Sequence, residues 1–280
     1  MSWRASRAIL RVRVAFDVNC DSSTVTFATS TGCDSGGPVT ETVADTASDA
    51  RYRVAVIGGT GPQGKGLGYR FALGGHDIVL GSRAAEKAEA VADEVREKIA
   101  GTTGAGPVGT VGGASNADAV AQCDVVLLAV PYDGHDELVA SLASGGALAG
   151  KTVISCVNPL AFDKRGAHGR IINNGEGSAA ESAQELAPEA TVVGAFHNVS
   201  AVGLWEEPGF LDEDVIVVGD VVEAKQVAMA LAASVTGRVG IDGGKLRLAR
   251  QLEPFTAVLI SINRKYKVHS GLRITGLGEH

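Results

Sequence analysis

The apolar run Arg53 to Ile57 leads straight into Gly58-Gly59-Thr60-Gly61-Pro62-Gln63-Gly64, and this junction restricts the fold more than any other stretch. It contains G-x-G-x-x-G at Gly59, Gly61 and Gly64. A helical period follows, with Gly64, Leu67, Gly68 and Phe71 on one face. A strand before the motif and a helix after it give the context of a dinucleotide site, where an isolated match would carry little weight. The first glycine permits the tight turn and the second lets backbone approach a pyrophosphate. The third lets helix and strand pack closely, so that helix N-terminal N–H groups aim at the anion. Gly59, Thr60, Gly61, Pro62, Gln63 and Gly64 are therefore the expected cofactor contacts.

From Tyr52 onward short apolar runs alternate with helical periods, the signature of a parallel sheet with crossover helices. The expected strands are Arg53 to Ile57, Asp77 to Leu80, Val108 to Val111, Asp124 to Val130, Thr152 to Ser155 and Thr191 to Phe196. Several are continuously apolar, as strands buried on both faces must be. The clearest helix, Ala84 to Ala100, puts Ala88, Val91, Ala92, Val95 and Ile99 on one face. Another opens with Ser178 and Glu181 at capping-box spacing and stops before Pro188. The fold class is α/β, a Rossmann-type doubly wound parallel sheet covering residues 51–205. After Gly203 to Gly209 the rhythm resumes as strand Asp214 to Val218, helix Val222 to Val235, strand Arg238 to Asp242 and a final helix near Pro254 to Asn263. That predicts a smaller C-terminal α/β unit over 206–280.

The cofactor's identity is read at the end of the second strand. NAD readers place an acid there for the ribose 2′-hydroxyl, but this chain has Gly81-Ser82-Arg83. An acid would repel a 2′-phosphate, whereas Ser82, Arg83 and, one turn on, Lys87 would bind it through charge-assisted hydrogen bonds. NADP is the expected cofactor. Ligands of a doubly wound sheet lie beyond the carboxyl ends of its strands. Ala129-Val130-Pro131-Tyr132, Cys156-Val157-Asn158-Pro159-Leu160 and His197-Asn198-Val199-Ser200-Ala201 stand there. His197 is the only histidine at such a strand end and is the candidate catalytic residue. The other histidines have no metal-ligand spacing, so no metal is expected.

A net charge of -7 over 280 residues argues against a nucleic-acid partner. No apolar run approaches a membrane span, so a soluble protein is expected. Cys20, Cys33, Cys123 and Cys156 form no C-x-x-C pair, which suits a reducing cytoplasmic setting. Arg11 and Arg13 interrupt the only stretch that could serve as a secretory leader, although its Arg and Ser content admits a transit peptide. Residues 1–50 read as a disordered tail, since 17–50 contain no Lys or Arg and no sustained period. Within it Cys33-Asp34-Ser35-Gly36-Gly37-Pro38 mimics a protease nucleophile, but no histidine precedes it to act as base.

Val54 to Gly66, followed by Gly81-Ser82-Arg83 and Glu86-Lys87-Ala88, resembles the NADPH-dependent deazaflavin coenzyme (F-420) reductases. The likeness continues through Ala129-Val130-Pro131, Phe196-His197-Asn198, Val217-Val218-Gly219-Asp220 and Arg250-Gln251-Leu252-Glu253. It implies hydride transfer between NADP(H) and 8-hydroxy-5-deazaflavin. It would have Thr60 to Gln63, Ser82, Arg83 and Lys87 hold NADP, with Val130, Pro131, Tyr132 and Leu160 along the nicotinamide half. Val157, His197, Val199, Ala201, Arg250, Pro254 and Thr256 would line the deazaflavin pocket. Pro254 stands where the family suggests a small polar residue. Arg264-Lys265-Tyr266-Lys267 reads either as a solvated helix end or as a contact for the coenzyme's acidic tail. A homodimer is an allowed assembly.

Hydride transfer between two stacked rings asks for positioning and exclusion of water, with no nucleophile. An NADP-dependent imine or carbonyl reductase on the same fold would instead need a proton donor, with Tyr132 or His197 as candidates. An NADP-sensing module without turnover would keep the glycine turn and lack an acceptor.

Overall fold

The computed structural model describes residues 50–102 and 106–277. The expected tail, apart from residue 50, and the Cys33 to Pro38 segment lie outside the described residues. The fingerprint region forms β1 (Arg53–Ile57), α1 (Pro62–Leu73), β2 (Asp77–Ser82) and α2 (Ala85–Ala100). The chain continues through β3 (Val111–Ser115), α3 (Asn116–Ala121), β4 (Val125–Leu128), α4 (His135–Ser144) and β5 (Thr152–Ser155). A hairpin, β6 (Leu160–Asp163) and β7 (Gly166–Gly169), leads to α5 (Ala179–Leu186), β8 (Thr191–Gly194) and α6 (Ala201–Glu206). Then come β9 (Ile216–Gly219), α7 (Val222–Thr236), β10 (Ile241–Gly244) and α8 (Ala249–Tyr266).

Eight strands form one sheet in the order β10-β9-β8-β5-β4-β1-β2-β3. All neighbours run parallel except β8 and β9. This is a Rossmann-type sheet, as the alternation of apolar runs and helical periods predicts. Side chains of a strand alternate between faces, so β1 feeds two cores at once. Val54 and Val56 pack with Leu67 and Phe71 of α1, Val95 of α2 and Leu231 of α7. Ala55 and Ile57 pack on the other face with Val120 of α3, Val139 of α4 and Ala183 of α5.

The differences from the sequence reading are local and have physical causes. Residues 206–280, expected as a smaller unit, extend the main sheet through β9 and β10. The third strand is Val111–Ser115 rather than Val108 to Val111, because its central residues, Gly112 and Gly113, carry no apolar signal. A Cβ on Gly113 would stand 2.2 Å from the Glu89 nitrogen, so the glycine is what lets α2 lie against β3. The last helix begins at Ala249, five residues before Pro254, which sits inside it. A proline there removes its own N–H, leaving the Arg250 carbonyl without its usual helical donor. Ser178 caps α5 as read: its hydroxyl accepts from Glu181 N–H at 3.1 Å and donates to the Glu181 carboxylate at 2.8 Å, the latter in place of the backbone bond of a full capping box. Among the described residues no helix is long and apolar enough to cross a membrane.

Arg70, near the end of α1, is buried and donates to the carbonyls of Leu204 at 2.7 Å, Gly203 at 3.1 Å, Glu207 at 2.6 Å and Gly209. These carbonyls belong to the end of α6 and the turn beyond it, which have too few internal donors. Arg70→Met keeps the apolar stem and removes every donor. It is expected to cost at least about 2 kcal/mol, read as a fall of roughly 4–8 °C in thermal midpoint. A midpoint within a degree of wild type would show that water replaces the guanidinium.

Candidate active site at the carboxyl edge of the sheet

The strand order reverses between β1 and β4, and a crevice opens there beyond the strand ends. Gly58 leaves β1 with a φ of +83°, and a Cβ on it would lie 2.6 Å from the Ala129 carbonyl oxygen at the end of β4. No L side chain suits that position. Gly59 and Gly64 answer the requirement for close packing: a Cβ on Gly64 would meet the Gly58 carbonyl oxygen at 2.6 Å, and one on Gly59 the Val56 carbonyl oxygen at 2.8 Å. Gly61 differs, since its Cβ would have only one neighbour, Gly58 oxygen at 3.4 Å. The space in front of Gly61 is thus open, as close approach of a pyrophosphate requires. Pro62 opens α1, and the first-turn N–H groups of Gln63 and Gly64 have no acceptor within the helix. The turn therefore fits an anionic dinucleotide.

At the end of β2, Ser82 is buried while Arg83 and Lys87 are exposed. Among the described residues neither cation is held by a carboxylate, whereas Arg96, on the same helix as Lys87, engages Glu89 and Asp93. Two free positive charges beside a buried hydroxyl suit a 2′-phosphate.

A cleft of about 330 Å³ is bounded by Gln63, Ala129, Val130, Asn158, His197 and Val199, with Ser200 and Ala201 beyond them. Its far wall is α8, which presents Thr256, Leu259, Ile260 and Asn263 at i, i+3, i+4 and i+7, one face of a helix. Ser270 closes the rim. Gln63 ties the two halves together by donating its amide N–H to the Val199 carbonyl at 3.3 Å. The His197 carbonyl accepts from Asn158 at 2.7 Å and from the Thr256 hydroxyl at 2.8 Å, and Asn198 donates to Thr256 at 3.0 Å. These bonds fasten the end of β8 to α8.

The His197 ring is buried at 4% exposure, and neither ring nitrogen has a hydrogen-bond partner among the described residues. Burial pushes its pKa down to about 4, and the Val157 backbone opposes this only in part. The imidazole is neutral at pH 7. Asn158 Oδ1, at the same cleft, is likewise buried without a partner. Unpaired buried polar atoms are uncommon in folded proteins, and two of the residues lining this cleft carry them. Cys156 also faces the cleft, and burial pushes its thiol up to about 12, which keeps it protonated.

Of the residues singled out from the sequence, Gln63, Val130, His197, Val199, Ala201 and Thr256 are brought together at this cleft. Val157 is buried just beneath it. Tyr132 stacks on His135 at 6.1 Å with Arg170 over its ring, and Pro131 is exposed beside it. Leu160 is half-buried at the start of β6. Two residues expected at the deazaflavin pocket are engaged elsewhere. Arg250 makes a two-pronged bond to Glu181 at 2.8 and 2.7 Å. Pro254 packs against β7, where a Cβ on Gly169 would meet the proline ring at 2.6 Å. Both face α5 and the hairpin because α8 starts before Pro254, which turns these residues away from the stripe carrying Thr256. The sequence reading placed Asn158 and Asn198 at the strand ends without giving them a role, and it missed the stripe Leu259, Ile260 and Asn263. Helical spacing from Thr256 would have found the stripe, but nothing local announces Ser270. Glu253, pushed up to about 7 by burial, accepts the first two N–H groups of α5 at 2.8 and 3.0 Å.

Residues 53–159 match the family described as NADP oxidoreductase, coenzyme F420-dependent. The chain is 40% identical to the F420-dependent NADP reductase of Methanothermobacter thermautotrophicus, over 81% of this chain and 96% of that protein. It is 37% identical to that of Methanocaldococcus jannaschii, over 80% of this chain and 99% of that protein. A solved structure of a candidate F420-dependent NADP reductase from Arthrobacter sp. FB24 superposes with a TM-score of 0.64 at 26% identity. It covers 80% of this chain and 100% of its own.

The buried histidine sets a pH signature. The unfolded imidazole titrates near 6.5, so its linked stability is fully present above that value and is lost as pH falls through about 4. NMR titration of the ring of His197 is expected to show no change of charge above about pH 5. A midpoint between 6 and 7 would mean that the ring is wet.

Proposed function

This chain belongs to the family of F420-dependent NADP reductases, and we propose that its carboxyl-edge cleft is where the two coenzymes meet. The reaction is transfer of hydride between NADPH and F420. When bound, the nicotinamide supplies or receives the hydride and the deazaflavin ring is its counterpart. The chain's residues need only bind, orient and keep water away.

The observation that carries the assignment of residues is the run of one cleft from Gln63, on the phosphate-binding helix, to His197, Val199 and Thr256. Gly59, Thr60, Gly61, Pro62, Gln63 and Gly64 receive the pyrophosphate, and Ser82, Arg83 and Lys87 receive the 2′-phosphate. Val130, Pro131, Tyr132 and Leu160 border the nicotinamide half. Val157, His197, Val199, Ala201 and Thr256 form the apolar seat of the deazaflavin. His197 contributes as a neutral, flat, dry surface, and this supports direct hydride transfer over a reaction needing an imidazolium acid. Tyr132, whose phenol burial raises, is a poor acid for the same reason. Cys123 and Cys156 are free and buried, which supports a reducing cytoplasmic setting.

Arg83→Ala is expected to weaken NADPH by about 1.5–3 kcal/mol, the range for hydrogen bonds to a charged group, and to leave NADH nearly unchanged. Equal weakening of both cofactors would assign Arg83 to the fold. With NADPH deuterated at the transferred position of nicotinamide carbon 4, the label should appear in reduced F420. Complete loss to solvent would rule out direct transfer. His197→Ala should raise the KM for F420 while the dissociation constant of NADPH stays near wild type, measured by fluorescence titration.

A further inference from the structure

Among the described residues, the non-glycine residues with a left-handed backbone are Asn173, Asn174, Phe196 and Lys267. The asparagines and the lysine are exposed, and asparagine tolerates this conformation. Phe196 is a different case. Its φ is +62°, its side chain is 1% exposed, and it stands between the end of β8 and His197. For a bulky residue this backbone carries a conformational cost, whereas glycine would adopt it freely. Such a conformation persists only where the surroundings hold it.

Side chains along β8 alternate between the two faces of the sheet. Val192 belongs to the core beneath α3, α4 and α5, and Val193 to the core beneath α1 and α7. Gly194 faces the first core again, toward Val218 and Ala249, and Ala195 returns to the second. Alternation would then lay Phe196 over Gly194. Instead it joins Ala195 on the α1 side, where its ring meets Phe71 edge-on with centroids 5.4 Å apart. His197 takes the place so vacated: a Cβ on Gly194 would stand 2.9 Å from His197 Nε2. The left-handed residue thus sends its own ring to one face and the imidazole to the other. The His197 carbonyl is then the one that receives Asn158 and Thr256, the bonds that fasten this wall of the cleft to α8. Phe71 lies on α1, the helix whose first turn faces the phosphate loop and whose Gln63 holds Val199.

We propose that Phe196 is a positioning residue for hydride transfer: its ring, held against Phe71, forces the left-handed turn that seats His197 over Gly194, and so sets the F420 wall of the cleft relative to α1. This rests on the family reading above for the identity of the coenzyme, and it assigns a role to a residue that does not itself line the cleft.

Phe196→Gly leaves the turn accessible but removes the anchor that enforces it, and Phe196→Leu keeps a buried apolar anchor at the cost of some packing. Both are studied on the full chain at a temperature where circular dichroism shows them folded. In Phe196→Gly, kcat/KM for F420 should fall about ten- to a hundred-fold, the scale of a roughly 1 Å misplacement at a reacting centre, while the Kd of NADPH stays at its wild-type value. The His197 ring, followed by NMR, should move its titration midpoint from below about pH 5 toward the free value near 6.5 as it loses its seat. Phe196→Leu should melt at a lower temperature yet keep wild-type kcat/KM and titration. Lowered stability in both variants with wild-type kinetics and titration in both would overturn the proposal and leave Phe196 as core packing alone. If Phe196→Gly does not fold, Phe71→Leu decides, since it leaves residue 196 intact and loosens the seat of its ring. There kcat/KM for F420 should fall with the Kd of NADPH unchanged, and wild-type kinetics would overturn the proposal. Should the wild-type chain fail to reduce F420, the family reading falls, while the shift of the His197 titration in Phe196→Gly or Phe71→Leu still decides whether Phe196 places the ring.

Discussion

The approach of Gly64 to Gly58 and Gly59 is the contact to which the rest of the carboxyl edge is referenced. Without it α1 could not start so close to β1, and its first N–H groups would not face the open space in front of Gly61. Once α1 is seated there, its length fixes what lies at both ends. Gln63 holds the Val199 carbonyl next to the cleft, and Arg70, two turns on, holds the carbonyls at the end of α6. The segment His197 to Glu206, which supplies one wall of the cleft, is thus fastened to α1 at its beginning and its end.

The opposite wall depends on α8, which is tied down by polar bonds where apolar packing is thin. Thr256 and Asn198 connect it to β8, and Glu253 connects it to the start of α5. Glu253 and His197 carry opposite costs of burial. The carboxyl group is pushed up and so favours lower pH, while the imidazole is pushed down and favours higher pH. The two dependences oppose each other between about pH 4.5 and 6.5, the interval bounded by their unfolded values.

Most of this fold was legible because its information is local. The strands Arg53–Ile57 and Thr152–Ser155 are short apolar runs whose residues are nearly all buried, and the glycine turn declares itself by spacing. Strand β3 was misplaced since Gly112 and Gly113 serve packing and not burial. The site was legible only where it coincides with strand ends. Gln63 and Val199 are 136 residues apart, and Asn198 and Thr256 are 58 apart; no periodicity encodes such pairs. The pairing of Arg250 with Glu181, 69 residues away on another helix, is equally invisible to periodicity.

The chemistry that the fold supports follows from what the cleft lacks as much as from what it contains. Its histidine is neutral, its thiol is protonated, and Tyr132 beyond the end of β4 is harder to ionise than usual. An enzyme that had to move protons or form covalent bonds would be poorly equipped with these groups. A reaction between two rings gains from the same features, since a group that neither ionises nor binds water tightly leaves ring contact as the main interaction. The buried polar atoms on His197 and Asn158 are the exception in a cleft otherwise lined by apolar residues such as Val130, Val199, Leu259 and Ile260. Rate in such a site rests on how firmly two walls are held at a fixed separation, and the ties through Gln63, Arg70, Thr256 and Glu253 are the means by which this chain holds them.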